Sequence, residues 1–114
     1  MAIAVTATKN ALCTTYSTQG SWISLHTASP GGTGANEATG GSPAYARQQT
    51  TWGTAASSQI SGSQVTINVA AATYTFAGLW TAATGGTFID QVAISSTTLG
   101  AQGTILITPT FSMT

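Results

Sequence analysis

The sequence predicts a mainly β domain: an antiparallel β-sandwich or small jelly-roll-like barrel of about six strands, with one short N-terminal helix. Short stretches that alternate apolar and polar residues recur along the chain, and glycine-rich turns separate them. After the first twenty or so residues, no segment shows the period of a crossover helix, which a parallel sheet would require. We expect a single domain over residues 1–114.

The first predicted element is an amphipathic helix over residues 6–18. Leu12 and Tyr16 are four residues apart and would share an apolar face that includes Cys13. A threonine at the start is the expected N-cap. The several threonines within the segment are poor helix formers and work against it.

Strands are predicted along the rest of the chain from period-2 alternation. The clearest is residues 64–69, in which Val65, Ile67 and Val69 would face the core. A polar connection is expected over residues 53–63. The predicted strands are residues 22–27, 45–52, 64–69, 73–80, 87–94 and 104–113.

A long glycine-rich loop at about residues 29–43 interrupts this pattern. It contains no apolar residue larger than alanine except proline, and no strand or helix is predicted in it. Loops of this length without secondary structure are usually functional or disordered. Its glycines do not make a phosphate site, because the lysine of a P-loop and the following helix are missing. We predict that this loop contacts another protein.

Charge is almost absent from the chain. Charged residues make up 4% of the sequence, and the net charge is zero. Two cations cannot form the basic surface that binds nucleic acid or an anionic membrane, so neither partner is expected. Surfaces with so little repulsion tend to associate, which favours a homo-oligomer or a multi-copy array. The start of the chain does not resemble a signal peptide, and the single cysteine, Cys13, excludes an intrachain disulfide.

Few residues are candidates for chemistry. His26 is the single histidine and is predicted to be structural or interfacial, because no second metal ligand has suitable spacing. Glu37 and Arg47 could pair across the mouth of the loop, or each could meet a neighbouring subunit. Asp90 is expected to be partly buried, with Arg47 as an attractive partner. We predict no catalytic residues, no cofactor and no metal.

The three tryptophans allow two interpretations. Trp22, Trp52 and Trp80 could line a sugar-binding cleft, but in small β domains such residues are more often anchors of the core or of an interface. The residues that we predict to contact other molecules are Trp22, His26, Asn36, Glu37, Tyr45 and Arg47.

Three segments carry a family resemblance. Residues 24–30 (SLHTASP), 33–37 (TGANE) and 45–48 (YARQ) resemble a family of small proteins of tailed bacteriophages, especially those of actinobacteria. Ser29 stands where that family usually has Asp, and Ala38 where it usually has Val. Its members are commonly labelled tail-fibre-like or minor virion proteins, and similar small β proteins decorate capsids.

The resemblance implies a virion structural protein that is made in the host bacterial cytoplasm. We therefore expect a non-enzymatic capsid decoration protein, with the major capsid protein or other virion proteins as partners. The alternative is a tail-fibre or minor tail protein that binds host-surface glycan. An enzyme is the weakest hypothesis, because nothing in the sequence brings Glu37 and Asp90 together as an acid–base pair.

Overall fold

The computed structural model describes residues 4–113. In this part of the chain one helix precedes eight strands. The helix is α1 (Thr6–Gln19), and the strands are β1 (Trp22–His26), β2 (Gln48–Gln49), β3 (Gln59–Ser61), β4 (Val65–Val69), β5 (Thr73–Trp80), β6 (Phe88–Thr98), β7 (Gly103–Ile107) and β8 (Thr110–Ser112).

The strands form three antiparallel sheets. The largest has the order β2-β1-β5-β6, and the pairs β3-β8 and β4-β7 form two smaller sheets. The predicted mainly β, antiparallel class is confirmed. Over residues 4–113 the sheets stay open and do not close into a barrel.

The core lies between the four-stranded sheet and the β4-β7 pair. Val65, Ile67 and Val69 are buried as their alternation predicts, and the central pair Ile67–Ile105 joins β4 to β7. The strands of the large sheet contribute Leu25 and Tyr74 from the other side. Burial of alternate β-branched residues against a facing sheet is the main stabilising term in this architecture.

The helix forms where predicted, but its contacts differ from the prediction. Val5 occupies the N-cap position and makes no side-chain cap, so the expected threonine cap is wrong. Leu12 is 39% exposed, whereas Cys13 is buried. The main anchor is Tyr16, whose ring stacks on Phe111 with centroids 3.8 Å apart. Packing against β3 and β8, rather than helix propensity, therefore holds α1 in place.

Three predicted strand boundaries are wrong for local reasons. The predicted strand at residues 45–52 is reduced to Gln48–Gln49, since the segment before it turns toward the long loop. The last predicted strand is divided into β7 and β8 around Pro109, which has no N–H to continue a ladder. β6 continues four residues beyond its predicted end at residue 94.

The predicted polar connection at residues 53–63 contains a strand, β3. It is preceded by a tight turn in which Ala56 and Gln59 exchange both backbone hydrogen bonds. Ser57 and Ser58 at the centre have φ values of 50° and 64°. Such turns usually carry Asn-Gly or Asp-Gly, so a Ser-Ser pair gives little sequence signal for a hairpin.

Candidate functional site

The long loop folds back onto β1. The carbonyl of Pro30 accepts hydrogen bonds from the N–H groups of Gly34 and Ala35, which closes a turn. The chain then runs beside β1, where Glu37 forms a bridge with His26 and the N–H of Ala38 donates to the carbonyl of Leu25. Residues 29–43 thus contain turns and one isolated bridge but, as predicted, no strand or helix. The loop covers the second face of β1, whose residues 23–26 are all buried.

An ion pair within one chain closes this loop. Nε and Nη2 of Arg47 donate to the two carboxylate oxygens of Glu37 at 2.8 and 2.9 Å. The hydroxyl of Tyr45 donates to Glu37 Oε2 at 2.7 Å and accepts from the N–H of Leu25. The side chains of Arg47 and Glu37 are only 8% and 22% exposed. Of the two alternatives that the sequence left open, the structure shows the pair inside the chain.

Trp80 is the platform on which this ion pair rests. The guanidinium carbon of Arg47 lies 3.6 Å from the centroid of the indole ring, a cation–π geometry. Gly34 packs against the same ring, where a Cβ atom would collide with it, and has a φ of 79° that favours glycine. The two N–H groups of Arg47 Nη1 donate to the carbonyls of Ala82 and Gly85, in the turn after β5. Arg47 therefore joins the loop to the β5–β6 turn.

A buried chain of hydrogen bonds lies beneath the platform. Nε1 of Trp80 donates to the hydroxyl of Ser24 at 2.9 Å, and that hydroxyl is 2.7 Å from Nε2 of His26. Nδ1 of His26 is 2.8 Å from the carbonyl oxygen of Ala35. A carbonyl can only accept, so Nδ1 carries the proton and Nε2 accepts from Ser24. The neutral imidazole satisfies every group in this chain.

We call this site the latch (Ser24, His26, Glu37, Tyr45, Arg47 and Trp80). The surroundings shift the pKa values of three of its groups, His26, Glu37 and Tyr45. Burial lowers the pKa of His26, outweighing the carbonyl of Ala35 and the carboxylate of Glu37, which favour the cation. For Glu37, burial alone would raise the pKa, but hydrogen bonds from Arg47 and Tyr45 hold it below its ordinary value. Burial and the bond to Glu37 raise the pKa of Tyr45. Each shift favours the protonation state that the hydrogen bonds require.

The latch is built to hold the chain together. A shallow depression of about 320 Å³ opens beside Glu37, Tyr45 and Arg47, but both carboxylate oxygens of Glu37 are already occupied. A carboxylate with a lowered pKa and saturated oxygens is poorly suited to proton transfer. Within residues 4–113, no three His, Cys, Asp or Glu side chains come together as metal ligands would.

The other predicted contact residues have separate places. Asn36 is exposed, with a φ of 62°, and its amide donates to the carbonyl of Ser29 at 3.0 Å. Trp22 is half-buried and stands opposite Trp80 in the β1–β5 register. Asp90 is exposed and accepts from the hydroxyl of Tyr16 at 2.8 Å, so its expected pairing with Arg47 is wrong. Whether any of the six residues contacts another molecule stays a prediction.

Sequence reasoning missed two members of the latch. Ser24 is not among the residues singled out from the sequence, and Trp80 is predicted only as an anchor of the core or of an interface, or as part of a sugar-binding cleft. A usable signal was the Ser-x-His spacing on the face of β1 opposite Ile23 and Leu25, followed by a loop long enough to cover that face. Both faces of β1 are buried because the loop returns over the second face. The alternation of apolar and polar residues in β1 does not by itself indicate that return.

Residues 5–114 match the model of a family described as podophage GP4 fiber I protein gp80. The chain belongs to this family. Neither the curated proteins nor the solved structures contain a match. Membership makes the chain a phage structural protein of a fibre-protein family and a virion component.

In this member of the fibre-protein family, the three recognisable motifs are structural. Residues 24–30, 33–37 and 45–48 supply five of the six latch residues, and Trp80 completes it. The hydroxyl of Ser29 accepts from the N–H of Gly31 at 3.3 Å, a bond that an aspartate could also make. Among residues 4–113, α1 is too short and too polar to cross a membrane.

Replacing Glu37 tests the ion pair. Glu37→Gln removes the charge that balances Arg47 and leaves a guanidinium over Trp80 without its carboxylate. We expect a loss of about 3 kcal/mol in the free energy of unfolding, measured by urea denaturation. Asp90→Asn is the matched control at the other carboxylate, which is exposed and has one side-chain partner, and its loss should be about 1 kcal/mol or less. Equal losses in the two variants would show that the latch contributes no special stability.

The single histidine makes the buried hydrogen-bond chain testable by pH. The folded pKa of His26 lies below the unfolded value of 6.5, so the unfolded chain binds more protons between the two values. Stability should be full above pH 6.5 and fall as the pH is lowered from there through the folded pKa. The His26 ring signals in an NMR titration should give a midpoint below 6.5.

The matched control for the pH effect is His26→Gln. Glutamine keeps one donor and one acceptor but does not titrate in this range, so the slope of stability against pH should disappear between pH 6.5 and the wild-type midpoint. A wild-type midpoint at or above 6.5 would contradict the neutral buried imidazole.

Proposed function

We propose that this chain is a non-enzymatic structural component of a phage fibre. The observation that carries the proposal is the family match over residues 5–114, because it spans the latch, the core and β6 together. The structure adds a physical reason. Glu37 and His26, two of the side chains that could take part in chemistry, have their polar atoms bound within the chain.

The elongated shape of the molecule is suited to a fibre. The Cα atoms extend over 46 × 24 × 22 Å, so the chain is about twice as long as it is wide. Most exposed residues are Ser, Thr, Gln, Ala or Gly, and very few are charged. Adhesion through such a surface depends on buried area and hydrogen bonds rather than on charge, and it should resist high salt.

Capsid decoration is the second candidate function. The near absence of charge suits attachment to a shell as well as assembly into a fibre. The family description names a fiber protein, and for that reason the fibre takes first place. The major capsid protein remains the expected partner only under this second candidate.

Binding of host glycan is a weaker extension of the fibre role. The alternative of glycan binding, which the sequence suggests, depends on Trp22, Trp52 and Trp80 as rings on which a sugar could stack. Trp80 is 8% exposed and lies under Arg47. Trp52 donates its N–H to the carbonyl of Gly20 and meets the edge of Tyr16. At most two of the three rings are therefore free to stack on a sugar, and we do not include glycan in the proposal.

The position of the protein in the particle tests the proposal. Gold-labelled antibodies to the chain should mark the tail appendages in electron micrographs of intact virions. The copy number from quantitative mass spectrometry should be far below that of the major capsid protein. A label spread over the head, with a copy number close to that of the capsid protein, would replace the fibre with decoration. Absence of the chain from purified virions would contradict both candidates.

A further inference from the structure

The core-facing side of the large sheet becomes exposed at β6. Leu25, Ala77 and Val92 stand side by side across β1, β5 and β6, and their exposed fractions are 0%, 5% and 61%. In the neighbouring row Leu79 is buried, whereas Asp90, its partner on β6, is exposed. The second layer of the sandwich therefore stops short of β6, and the gap between the layers is an open cleft of about 490 Å³.

One half of this cleft is aliphatic. Val92 and Ile94 line it on β6, and Leu106 lines it on β7. Because Val92 and Leu106 are 61% and 55% exposed, an apolar group that entered the cleft would cover surface that is now in contact with water. A cleft of this size is typical of small-molecule sites, in which apolar walls hold the body of a ligand and a few polar groups fix its orientation.

The other half is aromatic and contains the one charged residue that lines the cleft, Asp90. The hydroxyl of Tyr16 donates to the carboxylate of Asp90 at 2.8 Å. The ring of Tyr16 stacks on Phe111 with centroids 3.8 Å apart and meets Trp52 at 6.0 Å and an angle of 81°. A carboxylate beside several aromatic rings favours an organic cation, because the carboxylate and the ring faces both attract positive charge.

Asp90 has acceptor positions left for such a cation. Its two carboxylate oxygens accept one hydrogen bond each, from the hydroxyl of Tyr16 and from the N–H of Gln91. A carboxylate can accept about four hydrogen bonds. Over residues 4–113 the one salt bridge joins Arg47 to Glu37, so no cation from this part of the chain balances the charge of Asp90.

We propose that this cleft binds a small alkylammonium ion. The ammonium group would lie at Asp90 beside the rings of Tyr16 and Phe111, and the alkyl chain would run along β6 over Val92 toward Leu106. Asp90 and Val92 are two residues apart on the same face of the strand, a distance of roughly 7 Å that a short alkyl chain spans.

Charge selects this class of ligand over others of the same size. Asp90 would repel an alkyl carboxylate, and a neutral alcohol would gain nothing from the charge of Asp90. Burial and the bond to Asp90 raise the pKa of Tyr16, so its hydroxyl keeps its proton and continues to orient the carboxylate. The inference goes beyond the proposed structural role and does not rest on it.

An NMR titration of the purified chain with three probes of similar length tests the proposal. The probes are hexylammonium, hexanol and hexanoate. The amide shifts of residues 90–94 should saturate with hexylammonium, at a dissociation constant about fivefold or more below that of hexanol, and hexanoate should bind most weakly. High salt should reduce the preference for hexylammonium over hexanol, because it screens the charge of Asp90.

Two variants separate the charged half of the cleft from the aliphatic half. Asp90→Asn removes the charge at nearly constant size, so hexylammonium and hexanol should then bind equally well. Val92→Ser removes part of the apolar wall and should weaken the binding of hexylammonium about threefold. Val5→Ser is the matched control, since Val5 is 60% exposed, close to the 61% of Val92, and does not line the cleft. It should bind as the wild type does.

Equal affinity of the wild type for hexylammonium and hexanol would overturn the proposal, as would a preference for hexylammonium that survives Asp90→Asn. This comparison of probes needs the wild type alone, so it stays decisive if a variant fails to fold. Nα-acetyl-lysine amide should bind more weakly than hexylammonium, because its amides would lie over the aliphatic half of the cleft. Tighter binding of this probe would overturn the small ligand in favour of a lysine side chain of a partner protein. None of these outcomes bears on where the chain lies in the particle, so the fibre proposal is judged separately.

Discussion

The ion pair of Glu37 and Arg47 on the face of Trp80 is the interaction on which the rest of the latch depends. A guanidinium that is only 8% exposed must be paired, because an unpaired buried charge is far more costly than the pair itself. Here the guanidinium charge is balanced by two parallel hydrogen bonds to Glu37, by the face of the Trp80 ring and by two backbone carbonyls. Through these contacts one side chain fixes the loop, the ladder next to β1 and the β5–β6 turn.

The return of the loop explains why β1 is buried on both faces. Ile23 and Leu25 face the core between the sheets, while Ser24 and His26 face the loop. A histidine and a serine can be buried there without penalty, because the neutral imidazole, the hydroxyl and the indole N–H satisfy one another. Gly78 leaves the space for this chain, since a Cβ atom there would lie 2.5 Å from the Ser24 hydroxyl. The polar groups that first suggest chemistry are thus part of the folding of the loop.

Much of the fold could be predicted because its signals are local. The alternation of Val65, Ile67 and Val69 indicated β4 and its inner face, and the helix and β5 lie close to their predicted bounds. What could not be predicted depends on contacts distant in sequence or on weak turn chemistry. The Ser57-Ser58 turn hid β3, and the choice between a pair inside the chain and a pair between chains at Glu37 required the position of Trp80. Val92 is likewise exposed because the facing layer of the sandwich ends before it reaches β6. The sequence of β6 itself does not indicate where that layer ends.

The polar atoms of the latch are bound within the chain. The titratable groups hold the chain together, and the open cleft at β6 is apolar and almost uncharged. The most direct test of the central claim is native-state hydrogen exchange of the loop amides in the isolated chain at a concentration where it is monomeric. If the latch holds the loop on β1, the amides of Thr27 and Ala38, which bond to Asn36 and Leu25, should be as protected as those of the β1–β5 ladder. Exchange of these two amides at the rate of an unstructured loop, with the β1–β5 ladder still protected, would contradict the account.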